Sequence, residues 1–279
     1  MVTQLKLFLD EEHKPFTWSS GQPAALLVHG FPGTPAELRP LGKSLNEAGW
    51  TVEGLLLPGF GAEIETLFER RASEWVTAVE QALLELQRKH SPVLLIGYSM
   101  GAALSLQVAK ACPPTALVLL APFWQVAPWW QQLIGLVLKP FFRQIRPFKK
   151  ANFTDPKVRR GISNLLSSVD LDDPEMQHAL RELTVPVSMF EHLFSVGYEA
   201  HRLAPEVAVP TLVVQGIEDE VVSPGKTRQL LQRLAGPLQY VEVPAGHDLV
   251  KPDQPGWSHV QSAILAFAQN SLTDGDATL

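Results

Sequence analysis

Residues 92–104 read Pro-Val-Leu-Leu-Ile-Gly-Tyr-Ser-Met-Gly-Ala-Ala-Leu. The apolar run at the start predicts a buried strand, and the small and apolar residues of Met100–Ala111 predict a helix. Between them the pattern Gly97-x-Ser99-x-Gly101 favours a sharp strand-to-helix turn, because side chains at the two glycine positions would collide with neighbouring backbone. Such a turn pushes the serine hydroxyl out at the end of the strand, which makes Ser99 a candidate nucleophile.

Short apolar runs alternate with amphipathic segments over residues 24–121. This alternation is typical of an α/β fold with a mostly parallel central sheet flanked by helices. The predicted strands are 24–29, 51–57, 93–97 and 115–121, followed later in the chain by 211–215 and 238–243. Because the first four are continuous apolar runs, we expect them to be central in the sheet.

The alternation breaks at residues 122–204, which contain aromatic-rich helical patterns and Asp-Pro helix starts at Asp155 and Asp173. No strand pattern is visible in this stretch. It is therefore interpreted as a helical cap, inserted into a core formed by residues 1–121 and 205–279.

Helix starts and stops inside the core are also readable. Thr34-Pro-Ala-Glu37 has the spacing of a capping box, and Pro40 predicts that a single turn is followed by a separate helix running to Ala48. Between the second and third strands, apolar residues recur at helical spacing and predict one buried stripe; they are Trp75, Val79, Ala82, Leu83 and Leu86.

Composition excludes several classes of protein. The 279 residues carry a formal net charge of -6 and no basic stripe, which argues against a nucleic-acid partner. The one cysteine, Cys112, cannot form an internal disulfide, and residues 1–10 lack the features of a secretory signal, so a reducing, cytoplasmic setting is expected. The longest apolar stretch, residues 126–138, is too short to span a bilayer. Composition does not define the oligomeric state.

A nucleophilic serine requires a base, and the base requires a carboxylate to hold its tautomer. In this type of fold the acid and then the histidine follow the serine, each at the end of a later strand. His247 is the candidate base because it follows the strand predicted at 238–243. His29 also follows a core strand but precedes Ser99, so we expect it to hydrogen-bond locally and support its own loop. The remaining histidines are expected to be surface or packing residues.

Three adjacent carboxylates follow the strand predicted at 211–215. Asp219 is the preferred acid, because a short side chain in a turn can be held by backbone donors, and Glu218 is the alternative. Glu220 is expected to point elsewhere. Asp248 and Asp253 are too close in sequence to the candidate histidine to reach its far ring nitrogen.

An oxyanion hole requires two backbone N–H groups, one from the residue after the nucleophile and one from the loop after an early strand. Met100 has the first position. In the loop after the first predicted strand, Phe31 is the expected second donor because Pro32 has no N–H. A plain Gly/Pro turn is the alternative interpretation of this loop.

Taken together, five motifs resemble those of bacterial carboxylesterases and monoacylglycerol lipases of the α/β-hydrolase superfamily. They are His29-Gly-Phe-Pro-Gly-Thr-Pro-Ala-Glu-Leu-Arg-Pro-Leu, Pro58-Gly-Phe-Gly61, Gly97-Tyr-Ser-Met-Gly101, Glu218-Asp-Glu-Val-Val and Gly246-His247. The resemblance covers about residues 15–121 and 205–270. Two features depart from it: Phe60 stands where relatives often carry histidine, and the insertion is longer than their usual small cap.

The resemblance implies the α/β-hydrolase fold, a catalytic triad of Ser99, Asp219 and His247, and oxyanion donors Phe31 and Met100. The chemistry implied is acyl transfer from an ester, which needs neither a metal nor an organic cofactor, and the sequence shows no cluster with metal-ligand spacing. Thioester cleavage and carbon–carbon bond hydrolysis use the same triad and remain alternatives. A non-catalytic binding protein on the same scaffold is a third.

Aromatic and aliphatic residues crowd the start of the predicted cap. Many of them are expected to pack against the core, but Trp124, Trp129 and Trp130, together with Phe31, are candidates to line an apolar acyl pocket. The expected partner is therefore a small-molecule ester or lipid with an apolar acyl chain. The stretch ends in four basic residues that predict a weak contact with a membrane surface: Arg143, Arg146, Lys149 and Lys150.

Overall fold

The structure is a computed structural model that describes residues 8–124, 144–165 and 170–276. The strands are β1 (Phe16–Trp18), β2 (Ala24–Val28), β3 (Thr51–Leu55), β4 (Val93–Tyr98), β5 (Ala116–Leu120), β6 (Gln144–Ile145), β7 (Val185–Pro186), β8 (Thr211–Gly216) and β9 (Leu238–Val243). The α-helices are α1 (Arg39–Glu47), α2 (Ala72–Lys89), α3 (Met100–Ala111), α4 (Pro156–Leu165), α5 (Pro174–Glu182), α6 (Val187–Leu203), α7 (Pro224–Leu231) and α8 (Trp257–Asp276). Short 3₁₀ helices cover Glu11–His13, Pro35–Leu38, Gly61–Glu69 and Ala204–Glu206.

The main sheet has seven strands in the order β1-β3-β2-β4-β5-β8-β9. The β1–β3 pair is antiparallel, and the other neighbouring pairs are parallel. This confirms the predicted α/β class, and the four strands expected to be central do lie inside the sheet. The edge strand β1 was not predicted, because three residues are too few to show an alternating pattern.

The register of the parallel strands brings their carboxyl ends to one edge. Val28 of β2 pairs with Gly97 of β4, and Tyr98 of β4 pairs with Leu120 of β5. On the far side, Gly216 of β8 pairs with Val243 of β9. The loops that follow these strands therefore meet at the same edge, where open α/β sheets bind their ligands.

Both faces of the sheet are covered by helices. In β4, Leu95 faces a buried apolar cluster shared with α2 and α3, whereas Leu94 and Ile96 face a second cluster shared with α1 and α8. Successive side chains of a strand point to opposite faces, so a strand covered on both sides must be apolar throughout. The continuous apolar runs in the sequence have this cause.

The α2 stripe is confirmed, since Trp75, Val79, Leu83 and Leu86 are buried. The break at Pro40 is also confirmed, because the 3₁₀ helix Pro35–Leu38 precedes α1.

The predicted capping box is wrong. Thr34 makes no cap hydrogen bond, and its hydroxyl is 2.8 Å from Nδ1 of the buried His13. The Glu37 carboxylate instead accepts the backbone N–H of Gly30 at 3.2 Å. Both side chains have partners outside the helix start, 21 residues away for Thr34 and seven for Glu37, and these replace the local bonds that the spacing predicted.

The described part of residues 122–204 contains α4, α5 and α6, together with the antiparallel pair β6–β7. The strand pair differs from the all-helical expectation, since two-residue strands leave no periodic signal. Helix α6 packs against α3, where Gln107 Nε2 donates to Val196 O at 2.9 Å. The division of the chain into core and cap remains a prediction.

Candidate active site

Ser99 lies at the turn between β4 and α3, with φ 53° and ψ -114°. A positive φ is unusual for a residue with a side chain and is stabilised here by the surrounding backbone. A Cβ at position 97 would lie 2.4 Å from Gly101 O, and a Cβ at position 101 would lie 2.2 Å from Val28 O. Both glycines are therefore required by close backbone packing, which explains the spacing of the motif around Ser99.

His247 follows β9 and reaches Ser99, with Nε2 3.0 Å from Oγ. Its other ring nitrogen, Nδ1, is 2.8 Å from Oδ2 of Asp219. Because an ionised carboxylate only accepts hydrogen bonds, Nδ1 carries the ring proton and Nε2 is free to accept the serine proton. Residues 148 and 28 positions apart in sequence are thus joined in the arrangement of a nucleophile, a base and an acid.

Tyr98 connects the turn at Ser99 to the loop that carries His247. Its hydroxyl donates to the backbone carbonyl of His247 at 3.0 Å, and the two ring centroids are 5.4 Å apart. Burial raises the pKa of the Tyr98 phenol well above its ordinary value, and nearby carboxylates add to this effect. The phenol therefore remains protonated and keeps donating across the accessible pH range.

Asp219 is buried and accepts four hydrogen bonds. Its Oδ1 accepts the backbone N–H groups of Val221 at 2.9 Å and Val222 at 2.8 Å. Its Oδ2 accepts Gln215 Nε2 at 2.9 Å as well as His247 Nδ1. The backbone donors hold the carboxylate as the sequence reasoning anticipated for a short side chain in a turn.

The alternative carboxylates lie elsewhere. Glu218 and Glu220 are exposed. Asp248 is bonded to Gln254 Nε2 at 2.9 Å and lies 3.5 Å from the Lys251 ammonium, and Asp253 is exposed. The structure brings Asp219, and none of these four carboxylates, into hydrogen-bond contact with the histidine.

The loop after β2 is held by His29, which is fully buried. The backbone N–H of Leu57 donates to its Nε2 at 3.1 Å, so Nδ1 must carry the ring proton and donate to Gly30 O, 2.8 Å away. The N–H of Gly33 donates to the same carbonyl at 3.1 Å. The Gly30 carbonyl and the Phe31 N–H belong to the same trans peptide, so they point in opposite directions. Because the carbonyl points towards the His29 ring, the Phe31 N–H points away from it.

This loop borders Ser99, because a Cβ on Gly30 would lie 3.3 Å from Ser99 Cβ. Met100 is the first residue of α3, and the first N–H groups of a helix have no acceptor inside it. Gly30, which precedes Phe31, therefore packs against Ser99, and Met100 follows Ser99 at the start of α3. The role of Phe31 and Met100 as oxyanion donors remains a prediction.

Burial lowers the pKa of His29 to about 4, and the bond to Gly30 O opposes the shift only in part. Between pH 6.5 and 4 the unfolded chain binds a proton that the folded state excludes, so the free energy of unfolding falls as the pH falls through this window. We expect the stability advantage of the native protein over His29→Gln to shrink by about 3 kcal/mol between pH 7.5 and 4. Urea unfolding at both pH values measures this difference. The variant His259→Gln, at an exposed histidine, is measured in parallel as the control. A His29→Gln difference that stays constant between the two pH values would contradict the assignment.

The contribution of Glu37 to stability changes with pH in the opposite direction. Enclosure raises the pKa of its carboxyl from 4.5 to about 7, partly offset by the Gly30 N–H and by the charges of His247 and Lys251. As the pH rises through this window, the folded state must release a proton that the unfolded chain has already lost, so stability decreases. Because the side chain keeps some exposure, we expect Glu37→Gln to gain roughly 1–3 kcal/mol over the native protein at pH 8 and nothing at pH 4.5. Chemical denaturation at the two pH values measures the gain, and Glu47→Gln on the exposed part of α1 is the control. Equal effects at both pH values would refute the expectation.

Of the predicted pocket residues, two are described. The Phe31 ring is partly exposed and lies edge-on to Phe60, with centroids 5.9 Å apart. Trp124 is buried and stacks on His201 at 5.2 Å. Trp129 and Trp130 lie outside the described residues. Phe60 itself is buried edge-on to His29 and Trp75, so it packs beneath the loop after β2.

Among the basic residues predicted to touch a membrane, Arg146 pairs with Glu182 at 3.2 Å, and Lys149 and Lys150 are exposed. Arg143 lies outside the described residues, and the contact remains a prediction. Within the described ranges, no helix combines the length and hydropathy needed to cross a bilayer. Over the same ranges, no group of three or more His, Cys, Asp or Glu side chains is arranged to hold a metal ion.

Sequence reasoning missed three residues around this site: Tyr98, Gln215 and Glu37 as a loop anchor. Gln215 left a signal, since it is the one polar residue near the end of an apolar strand. Tyr98 and Glu37 left none, because each acts through a backbone group outside any local motif, 149 residues away for Tyr98 and seven for Glu37.

Comparison with known proteins identifies the family to which the chain belongs. The model of the family described as serine aminopeptidase, S33, matches residues 21–249. A thermostable monoacylglycerol lipase of Bacillus sp. (strain H-257) is 26% identical over 222 residues, covering 80% of each chain. A carboxylesterase of Bacillus subtilis (strain 168) is 33% identical over 106 residues, covering 38% of this chain and 43% of that protein.

Two solved structures are similar over most of the chain. One is reported for LipS and LipT, metagenome-derived lipolytic enzymes, with a TM-score of 0.72 at 21% identity, covering 93% of this chain and 98% of the other. The other is a monoacylglycerol lipase of Paleococcus ferrophilus, with a TM-score of 0.67 at 18% identity, covering 92% and 98%. At these identities the structures support the fold alone. Together with the family match they confirm the α/β-hydrolase fold and the resemblance predicted from the motifs.

Proposed function

Because the chain belongs to the serine aminopeptidase S33 family, we propose that it hydrolyses carboxylic esters with Ser99 as nucleophile, His247 as base and Asp219 as the orienting acid. The observation that carries the proposal is the continuous hydrogen-bond path from Ser99 Oγ to His247, 3.0 Å, and from His247 to Asp219, 2.8 Å. A serine hydroxyl becomes a good nucleophile only in such contact with a base.

In the proposed reaction Ser99 Oγ attacks the ester carbonyl while its proton passes to His247 Nε2. The tetrahedral intermediate collapses when His247 returns this proton to the leaving alcohol, which leaves the acyl group on Ser99. Water then attacks the acyl-enzyme with the same histidine as base, and the carboxylic acid leaves. Asp219 stays ionised and stabilises the imidazolium in both halves of the reaction.

The N–H groups of Phe31 and Met100 are the proposed donors to the oxyanion. Their support is the loop geometry around Gly30 and the position of Met100 at the helix N-terminus. Removing one such donor from a serine hydrolase typically lowers kcat by about 10²- to 10³-fold, so the bonds of His29 that orient this loop are expected to matter for rate as well as stability.

The proposed substrates are esters or lipids with an apolar acyl chain. Supporting observations are the apolar rings of Phe31 and Trp124 near the nucleophile turn, where Phe123 N donates to Ser99 O at 3.1 Å. Relatives named monoacylglycerol lipase and carboxylesterase point the same way.

A panel of p-nitrophenyl and glycerol esters of graded acyl length tests this function, with matched thioesters and a diketone for the alternative reactions. Labelling of Ser99 by a fluorophosphonate probe tests the nucleophile directly. We expect labelling and ester turnover that rises with acyl length before it falls. An unlabelled, inactive protein would favour a binding role, and turnover of thioesters or diketones alone would reassign the reaction.

A further inference from the structure

Gln215 is a fully buried polar residue in β8, and its side chain lies next to Asp219. Its side-chain nitrogen lies near three oxygen acceptors: Asp219 Oδ2 at 2.9 Å, Val222 O at 3.0 Å and Gly216 O at 3.2 Å. An amide nitrogen has two protons, so these acceptors account for its full donor capacity. The carboxylate of Asp219 is thus contacted by a neutral donor that cannot lose its proton at any accessible pH.

The other end of the same amide is held from a different element. Thr227 lies in α7, is fully buried, and donates its hydroxyl proton to Gln215 Oε1 at 2.6 Å. If the amide were flipped, Oε1 would face three oxygen acceptors and the amide nitrogen would face the threonine hydroxyl. The three oxygen acceptors therefore fix the orientation in which Gln215 donates to Asp219, and the Thr227 hydroxyl, which can donate or accept, donates to the Oε1 that this orientation turns towards it.

We propose that Thr227 and Gln215 are positioning residues for the catalytic acid, extending the triad into one hydrogen-bond chain that runs from α7 to Ser99. The inference rests on the proposed function, since it assigns a role to these residues only if Asp219 orients the catalytic base. Every bond of the chain joins buried or nearly buried groups, at 2.6, 2.9, 2.8 and 3.0 Å from Thr227 to Ser99.

Sharing Oδ2 between two donors has a chemical consequence. The Gln215 N–H withdraws electron density from the same oxygen that faces His247 Nδ1, which weakens the pull of the carboxylate on the imidazolium. Without this donor the imidazolium would be held more strongly and the carboxylate would protonate more readily. Both changes move the acid limb of the pH–rate profile towards higher pH.

Other titratable groups face this part of the site, and a test of Gln215 and Thr227 must leave them unchanged. These groups are Glu37 in the segment after β2, the phenol of Tyr98 in β4, and Asp248 and Lys251 in the loop after β9. None of them touches Gln215 or Thr227 in the described structure. Substitutions at these two positions leave every one of those groups in place.

The decisive experiment compares four variants with the native protein: Gln215→Met, Thr227→Val, Thr227→Ser and Gln261→Met. Methionine keeps the length of glutamine without its donor, and valine keeps the shape of threonine without its hydroxyl. Gln261 Nε2 bonds Ser44 Oγ at 2.7 Å between α8 and α1, away from the acid, so it is the matched glutamine control. For each variant we would record thermal unfolding, fluorophosphonate labelling and kcat/KM for one ester from pH 5 to 9.

We expect Gln215→Met to lower kcat/KM at pH 7 by about ten- to a hundredfold and to move the acid limb upward by about half to one pH unit. Thr227→Val should show a smaller change in the same direction, Thr227→Ser should restore the native profile, and Gln261→Met should keep it. A shift that is absent in Gln215→Met, or equal in Thr227→Val and Thr227→Ser, would overturn the inference. If Gln215→Met does not fold, the two Thr227 variants decide it. Failure of the native protein to label or turn over any ester would instead reject the proposed function.

Discussion

Ser99→Ala is expected to lower kcat for a soluble ester by roughly 10⁵- to 10⁶-fold, the range seen when a nucleophile is removed from a serine hydrolase triad. The hydroxyl oxygen is the atom 3.0 Å from His247 Nε2, and alanine leaves nothing there to form an acyl-enzyme. Steady-state turnover of a p-nitrophenyl ester, with fluorophosphonate labelling in parallel, measures the loss.

A matched pair of variants separates chemistry from folding. Ser99 has φ 53°, a conformation that is strained for any residue with a Cβ, so alanine keeps this strain and glycine removes it. Ser99→Ala should unfold at nearly the native urea concentration, whereas Ser99→Gly should be more stable by about 1 kcal/mol and equally inactive. Retention of most activity in either variant would eliminate Ser99 as the nucleophile.

Asp219→Asn is expected to lower kcat by about 10⁴-fold with little change in the surrounding structure. An asparagine whose oxygen accepts the N–H groups of Val221 and Val222 must turn its NH₂ towards His247 and Gln215. The imidazole Nδ1 then has to accept, which places the ring proton on Nε2 and prevents it from taking the proton of Ser99.

Asp248→Asn is the control for this variant, because Asp248 neighbours the histidine in sequence yet bonds Gln254 and Lys251. We expect its kcat within a few-fold of the native value when both are assayed at pH 7.5, the scale of effect typical of a charge outside the reacting groups. A larger loss in Asp248→Asn than in Asp219→Asn would show that the acid was assigned wrongly.

Local sequence was sufficient wherever a signal repeats or a backbone requirement is strict. The apolar runs of β2, β3, β4 and β5 identified the sheet because both of its faces are covered. The glycines flanking Ser99 identified the turn, since nothing larger than hydrogen fits there. Position after a strand predicted His247 as the base, and turn chemistry favoured Asp219 over Glu218. The structure brings His247 and Asp219 into contact, and their catalytic roles stay a prediction.

Prediction failed where a side chain had a choice of partners. Thr34 and Glu37 have the spacing of a capping box, yet one pairs with His13 and the other with Gly30. The short strands β1, β6 and β7 were missed for another reason, because two or three residues are stabilised by pairing and leave no periodic pattern of their own.

The amino-acid order by itself determined the α/β layering, the strained serine turn and the candidate groups for the proposed acyl transfer, because these depend on periodicity and on steric limits within a few residues. Only the tertiary structure decided which ring nitrogen of His29 carries a proton, how Tyr98 reaches the carbonyl of His247, and that Gln215 bonds both Thr227 and Asp219. Such bonds join groups that the chain brings together across the sheet edge, and their energies depend on a burial that no local pattern encodes.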